Sequence, residues 1–126
     1  MSNINFSLMV NELSLKNNNL PHDEYTITPL FSRRIQILED HVGVVQLRIE
    51  IKNTDETPFP MDLVVDLSGR FQMEDIHQEQ IEEFLKFQAV RILLPYLRSM
   101  VTNLTSTALA APILLPLMDP VEMFKE

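Results

Sequence analysis

The side chains in this sequence best suited to chemistry are its histidines, its serines and its neighbouring carboxylates. His22 stands beside Asp23 and Glu24, His41 follows Asp40, and His77 lies between Asp75 and Glu79. A metal site wants a second imidazole at i+4 or at strand spacing, and none of the three has one. Ser14, Ser32, Ser68 and Ser99 lack the strand–turn–helix context that exposes a nucleophilic serine. Paired carboxylates such as Glu82 and Glu83 can share a proton in acid–base catalysis; on a helix surface they read as a solvated face. Only two glycines occur, Gly43 and Gly69, so no phosphate-cradling loop can be built. Cysteine is absent, which excludes thiolate metal sites, cysteine nucleophiles and disulfides, and fits a reducing cytoplasm. The expectation is no catalytic set, no metal, no cofactor and no enzyme.

What the sequence demands instead is apolar contact. Residues 92–124 start as an amphipathic helix holding Pro95, then become an eleven-residue uncharged run over 108–118. Pro112 and Pro116 stop that run from being a helix, and it is far too short to span a membrane. Burying a Leu or Ile side chain is worth roughly 1.5–3 kcal/mol. Leaving Ile113, Leu114, Leu115 and Leu117 in water would forgo roughly 6–12 kcal/mol, comparable with a small domain's whole stability of about 5–15 kcal/mol. Its own core, another subunit or a client must cover this loop. Met118 and Met123 suit an adaptable apolar surface there, whereas Met9, Met61 and Met100 read as core fillers.

The elements that must position this loop follow from the periodicity. Phe6, Leu8 and Val10 alternate, and the parity then shifts to Leu13 and Leu15, one strand with a bulge near Asn11 and Glu12. Residues 25–38 read as a second strand interrupted at Pro29. Val45, Leu47, Ile49 and Ile51 alternate with polar residues, and after a polar turn at 53–56 Phe59, Met61, Leu63, Val65 and Leu67 do the same. Those two strands form a hairpin with one wet face, the antiparallel pattern. From about 75 to 105 the period becomes helical, with Glu79, Glu82 and Glu83 favouring the helix dipole and Glu82 spaced to pair with Lys86. Asp119 can cap a last short helix with Pro120 at its first position. The layout is α+β: a four-stranded antiparallel sheet, a long packing helix and a short C-terminal helix.

The chain's 126 residues suit one domain. A net charge of −8 argues against nucleic acid and against an anionic membrane surface. It suits a soluble protein with basic partners or unfolded clients. The N-terminal segment lacks the basic region of a signal peptide and reads as mature sequence. Two Asn-X-Ser/Thr patterns, at Asn5 and Asn103, are expected to be chance matches without such a signal.

The order of these elements resembles the SecB protein-export chaperone family, with this chain as a short, divergent member. Ile92-Leu93-Leu94-Pro95-Tyr96 is similar to the family's helix segment, and Arg98, Val101 and Thr102 fall in step. Leu115-Pro116 and the stretch from Asp119 to Phe124 resemble its apolar loop and the start of its last helix. Thr57, Phe59 and Asp62 look like the start of its fourth strand, and Glu12 to Leu15 like the end of its first. The resemblance covers residues 5–16 and 42–124. With Glu126 following soon after the stub helix, the family's longer C-terminal helix and tail are expected to be missing.

The resemblance implies that residues 1–126 form a single SecB-like domain assembling as a cytoplasmic homo-oligomer, a dimer or a dimer of dimers (tetramer). It implies an ATP-independent holdase that binds unfolded polypeptides in hydrophobic grooves, with no nucleic acid and no membrane insertion. The expected groove comprises Tyr25, Ile27, Phe31, Ile113, Leu114, Leu117, Met118, Met123 and Phe124. Leu93, Tyr96, Leu97, Met100 and Val101 are the expected oligomer-interface positions of the helix. In export the family passes clients to the SecA motor, and Glu12 and Asp62 fall at motor-contacting acids. Lys16 stands where another acid is expected, and Pro60 replaces an apolar contact residue. The rival readings are a partner-specific adaptor or antitoxin-type chaperone, and a structural oligomer that binds no client.

Overall fold

The computed structural model describes residues 4–108 and 110–124. Leu109, within the uncharged run, and both ends of the expected 1–126 unit lie outside the described residues.

The alternating segments form four strands, β1 (Asn5–Asn17), β2 (Leu30–Glu39), β3 (Val42–Ile51) and β4 (Met61–Gln72). They make one antiparallel sheet in the order β1-β4-β3-β2. β1 shifts register between Val10 and Glu12, so Asn11 is the extra residue that the parity change between Val10 and Leu13 requires. β2 begins only after Pro29: Tyr25 and Ile27, expected within a strand, lie in irregular chain. Proline has no N–H to donate to a ladder, so the pairing of β2 starts beyond it.

The helical part opens with a 3-10 turn (Gln78–Gln80) and α1 (Ile81–Glu83), widens into a π turn (Phe84–Gln88), and continues as α2 (Ala89–Thr107). In the π turn the Ala89 N–H donates to the Phe84 carbonyl, which makes neighbours of residues five apart. Leu85 and Val90 are both fully buried as a result. α2 lies over β3 and β4. Gly43 and Gly69 mark the closest approaches, since a Cβ at Gly43 would sit 2.6 Å from Leu85 Cδ1 and one at Gly69 2.8 Å from Leu93 Cδ2.

The core between helix and sheet holds Val45, Leu47, Ile49, Leu63, Val65, Leu67 and Phe71, capped by Ile81, Leu85, Leu93 and Leu97. This corrects part of the expected oligomer interface. Leu93, Leu97 and Val101 are fully buried inside the protomer and have no surface left for another subunit. Tyr96 (41% exposed) and the half-buried Met100 remain on the outer side. Of the methionines expected in the core, Met61 is buried and Met100 packs against it, but Met9 is 67% exposed on the sheet's open face. The last helix, α3 (Pro120–Met123), is capped as expected, with Asp119 Oδ1 accepting the Val121 N–H at 3.2 Å. Among the described residues no helix is long and apolar enough to cross a membrane.

Candidate functional site

The apolar segment after α2 runs back along the helix as an extended strap. Three polar side chains of α2, one or two turns apart, bind its backbone. The Thr105 hydroxyl accepts the Ile113 N–H at 3.0 Å, the Thr102 hydroxyl donates to the Ile113 carbonyl at 2.8 Å, and Arg98 donates twice to the Leu115 carbonyl at 3.1 and 3.2 Å. Extended backbone turns alternate side chains to opposite sides. Ile113 and Leu115 therefore enter the core, 4% and 7% exposed, while Leu114 between them faces out at 77%. Past Pro116 the alternation breaks, and Leu117 is 86% exposed. The continuous apolar run is thus two interleaved sets, one that folds and one that is offered to solvent.

Beside the strap lies an open cavity of about 570 Å³. It brings Tyr25, Ile27, Ile113 and Leu114 together with Leu15 and Phe59. Tyr25 is placed by an edge-to-face contact with Phe59 (centroids 6.4 Å apart) and by its hydroxyl, which donates to the Pro21 carbonyl at 2.6 Å. The other expected groove residues go elsewhere. Phe31, Met118 and Met123 are half-buried against the core. Phe124 packs under Arg33, 4.4 Å from ring centroid to guanidinium carbon, in a separate groove. Leu117 projects from the strap and lines neither cavity.

Leu15 and Phe59, and the strapping trio Arg98, Thr102 and Thr105, were not singled out as groove builders. The trio carried a usable signal, since polar residues three and four apart on an apolar helix face need partners. A second exposed apolar surface also goes beyond the expectation. Phe6, Leu8, Val10 and Leu13 project from edge strand β1 on the helix side and stay 37–51% exposed. The ring of Phe6 stacks on Phe71 and meets Tyr96 edge-on at 6.4 Å.

The sheet's open face is polar and internally compensated. Arg48 pairs with Asp66 (2.9 Å), Glu50 (2.8 Å) and Glu12 (3.2 Å). Asp66 is 2% exposed. Burial alone would raise its carboxyl, but hydrogen bonds from Asn11, Arg48 and Gln46 outweigh that and hold it below the usual range. The same contacts push the Arg48 guanidinium upward, with Asp66 the largest cause and Glu50 next. Asp62 accepts the Asn53 N–H at 2.9 Å and the Asn18 amide at 3.1 Å, and these lower its pKa. Both acids at the expected motor-contact positions thus have partners within the chain. Among the described residues no three His, Asp or Glu side chains group closely enough to hold a metal.

A four-stranded sheet backed by a long helix, with a Pro-bearing strap and a capped stub helix, is the architecture of the SecB-like chaperones. The family model described as SecB, preprotein translocase subunit, matches residues 7–126, and the chain belongs to that family as a divergent member. The protein-export protein SecB of Cereibacter sphaeroides is 23% identical over 125 residues, covering 97% of this chain and 74% of that protein. The SecB of Jannaschia sp. is 27% identical over 99 residues, 77% of this chain and 58% of that protein. Among solved structures, the Mycobacterium tuberculosis Rv1957 SecB-like chaperone, in complex with a ChAD peptide from the Rv1956 HigA1 antitoxin, superposes with a TM-score of 0.72 at 16% identity. That match covers 92% of this chain and 91% of the other.

Proposed function

We propose that this protein is an ATP-independent holdase of the cytoplasm, a single-domain homo-oligomer that binds exposed apolar segments of unfolded chains. The observation that carries this reading is the strap. Its backbone is fixed and its buried set satisfied, yet Leu114 stays exposed over a cavity walled by Tyr25, Ile27, Leu15 and Phe59. A rigid apolar wall with open volume suits extended polypeptide and requires no nucleotide. Self-association falls to the β1 ridge of Phe6, Leu8, Val10 and Leu13 beside Tyr96, a contiguous apolar patch of the kind that marks an interface.

A partner-specific role is the second reading, and one observation favours it: the superposable Rv1957 chaperone is bound to a peptide of a single antitoxin. Hand-over to SecA gains less support, because Arg48 and Asn53 already engage Glu12 and Asp62.

The test is aggregation suppression. A chemically unfolded, slowly refolding protein is diluted into increasing amounts of this chain without nucleotide, and light scattering is followed. Suppression that saturates, and that weakens in a folded Leu114→Asp variant, is the expected result. No suppression at several-fold excess would overturn the holdase reading, and saturable binding to one protein alone would favour the adaptor.

A further inference from the structure

We propose, resting on the holdase reading, that Asp62 is a positioning residue of the client cavity. With Asn18 and Asn53 it forms a clasp that holds Phe59, and through it Tyr25, in the cavity wall. Asp62 Oδ1 accepts two hydrogen bonds, from the Asn53 N–H at 2.9 Å and from the Asn18 side-chain amide at 3.1 Å. The two asparagines then close on the backbone of Phe59. Asn53 Oδ1 accepts the Phe59 N–H at 3.1 Å, and the Asn18 amide donates to the Phe59 carbonyl at 3.4 Å. The Asn18 backbone N–H donates to the next carbonyl, that of Pro60, at 2.8 Å. Both backbone polar groups of the buried Phe59 are thus bound by two residues that meet on one carboxylate oxygen.

The clasp sits where three parts of the chain converge: the end of β1, the turn after β3 and the entry to β4. Two of these parts build the cavity. The chain leaving β1 supplies Leu20, Tyr25 and Ile27, and the entry to β4 supplies Phe59 and Pro60. Directly after Asn18 the chain turns through Asn19 at φ 55°, a left-handed conformation that asparagine tolerates. The Asn19 N–H donates to Asn17 Oδ1 at 2.8 Å. Among the described residues, no backbone hydrogen bond then joins residues 20–29 to another element. Their inner anchor is the Tyr25 ring, edge-on to Phe59 with centroids 6.4 Å apart. This wall of the cavity therefore depends on Phe59, whose backbone the clasp orients. Fixing a binding wall before the ligand arrives lowers the ordering cost of association. The carboxylate at a position expected to meet a motor protein serves the cavity instead.

The probe is a labelled, reduced and carboxymethylated lactalbumin, which cannot refold, titrated with this protein and followed by fluorescence anisotropy. Asp62→Ala and Asn18→Ala are each expected to weaken binding about three- to tenfold. Both should also remove the Tyr25–Phe59 ring contact from NOE spectra, while circular dichroism keeps the parent's form. Asp62→Asn keeps the accepting oxygen and should retain most of the affinity and the contact. A role carried by the charge of Asp62 requires the Asn variant to lose as much as the Ala variant, and that result would overturn the proposal. So would full affinity, or an intact Tyr25–Phe59 contact, in both alanine variants. Where Asp62→Ala does not fold, Asn18→Ala carries the same comparison. A parent that leaves the unfolded lactalbumin unbound would instead sink the holdase reading, and the ring contact would still tell whether the clasp places Tyr25.

Discussion

Thr105 and Ile113 are joined by a buried hydrogen bond, in which the Thr105 hydroxyl accepts the Ile113 amide at 3.0 Å while donating back to the Val101 carbonyl at 2.9 Å. The strap's first buried amide has this one polar partner. Thr105→Val keeps the shape and removes the acceptor, so the amide is left unsatisfied at a cost of about 1–3 kcal/mol. Urea denaturation should show that loss, and hydrogen exchange at Ile113 should accelerate, while Thr105→Ser should retain most of both. Unchanged exchange at Ile113 would contradict the strap's anchoring.

The two sides of the strap should respond oppositely to truncation. Ile113→Ala empties a core position and is predicted to cost about 2–4 kcal/mol. Leu117→Ala, at an exposed site, should stay within about 0.5 kcal/mol of the parent. Equal destabilisation by both would mean that the outward set is also structural.

Asp66, Glu50 and Asp62 are all held below their ordinary ranges in the folded protein. The unfolded chain therefore binds protons that the folded chain refuses. The stability these groups contribute is fully present above the unfolded carboxyl pKa of about 4 and drains away as pH falls through the lower folded values. Urea midpoints taken at falling pH should drop steeply below about pH 4, and Asp66→Asn should show a shallower fall. An equally steep curve in that variant would remove Asp66 from the linkage.

The β1 ridge should control assembly. A Leu8→Glu/Val10→Glu variant changes two residues that face solvent in the protomer, so secondary structure should persist while sedimentation shows a smaller species. A parent that already sediments as a monomer would refute the ridge as a self-association surface.

Much of this architecture was legible in the sequence because alternation reports burial directly when one sheet face is wet. β3 and β4, the bulge at Asn11 and the Asp119-Pro120 cap all follow from local pattern. The helix was harder. An apolar surface wider than one stripe does not say which part meets its own sheet, and Leu93, Leu97 and Val101 proved to be spent inside. The strap was harder still. Its inner and outer sets are equally apolar, so only the hydrogen bonds from Arg98, Thr102 and Thr105 reveal which residues turn inward. Tyr25 and Ile27 carried strand-like parity without a neighbouring ladder, and Pro29 separates them from one.

The alternating strap also shapes how such a protein can change over generations. Positions 113 and 115 answer to the fold, whereas positions 114 and 117 are largely released from it. Drift at the outward pair can remodel the exposed apolar surface with little penalty in foldability, so the scaffold leaves that surface free to diverge while the fold stays fixed.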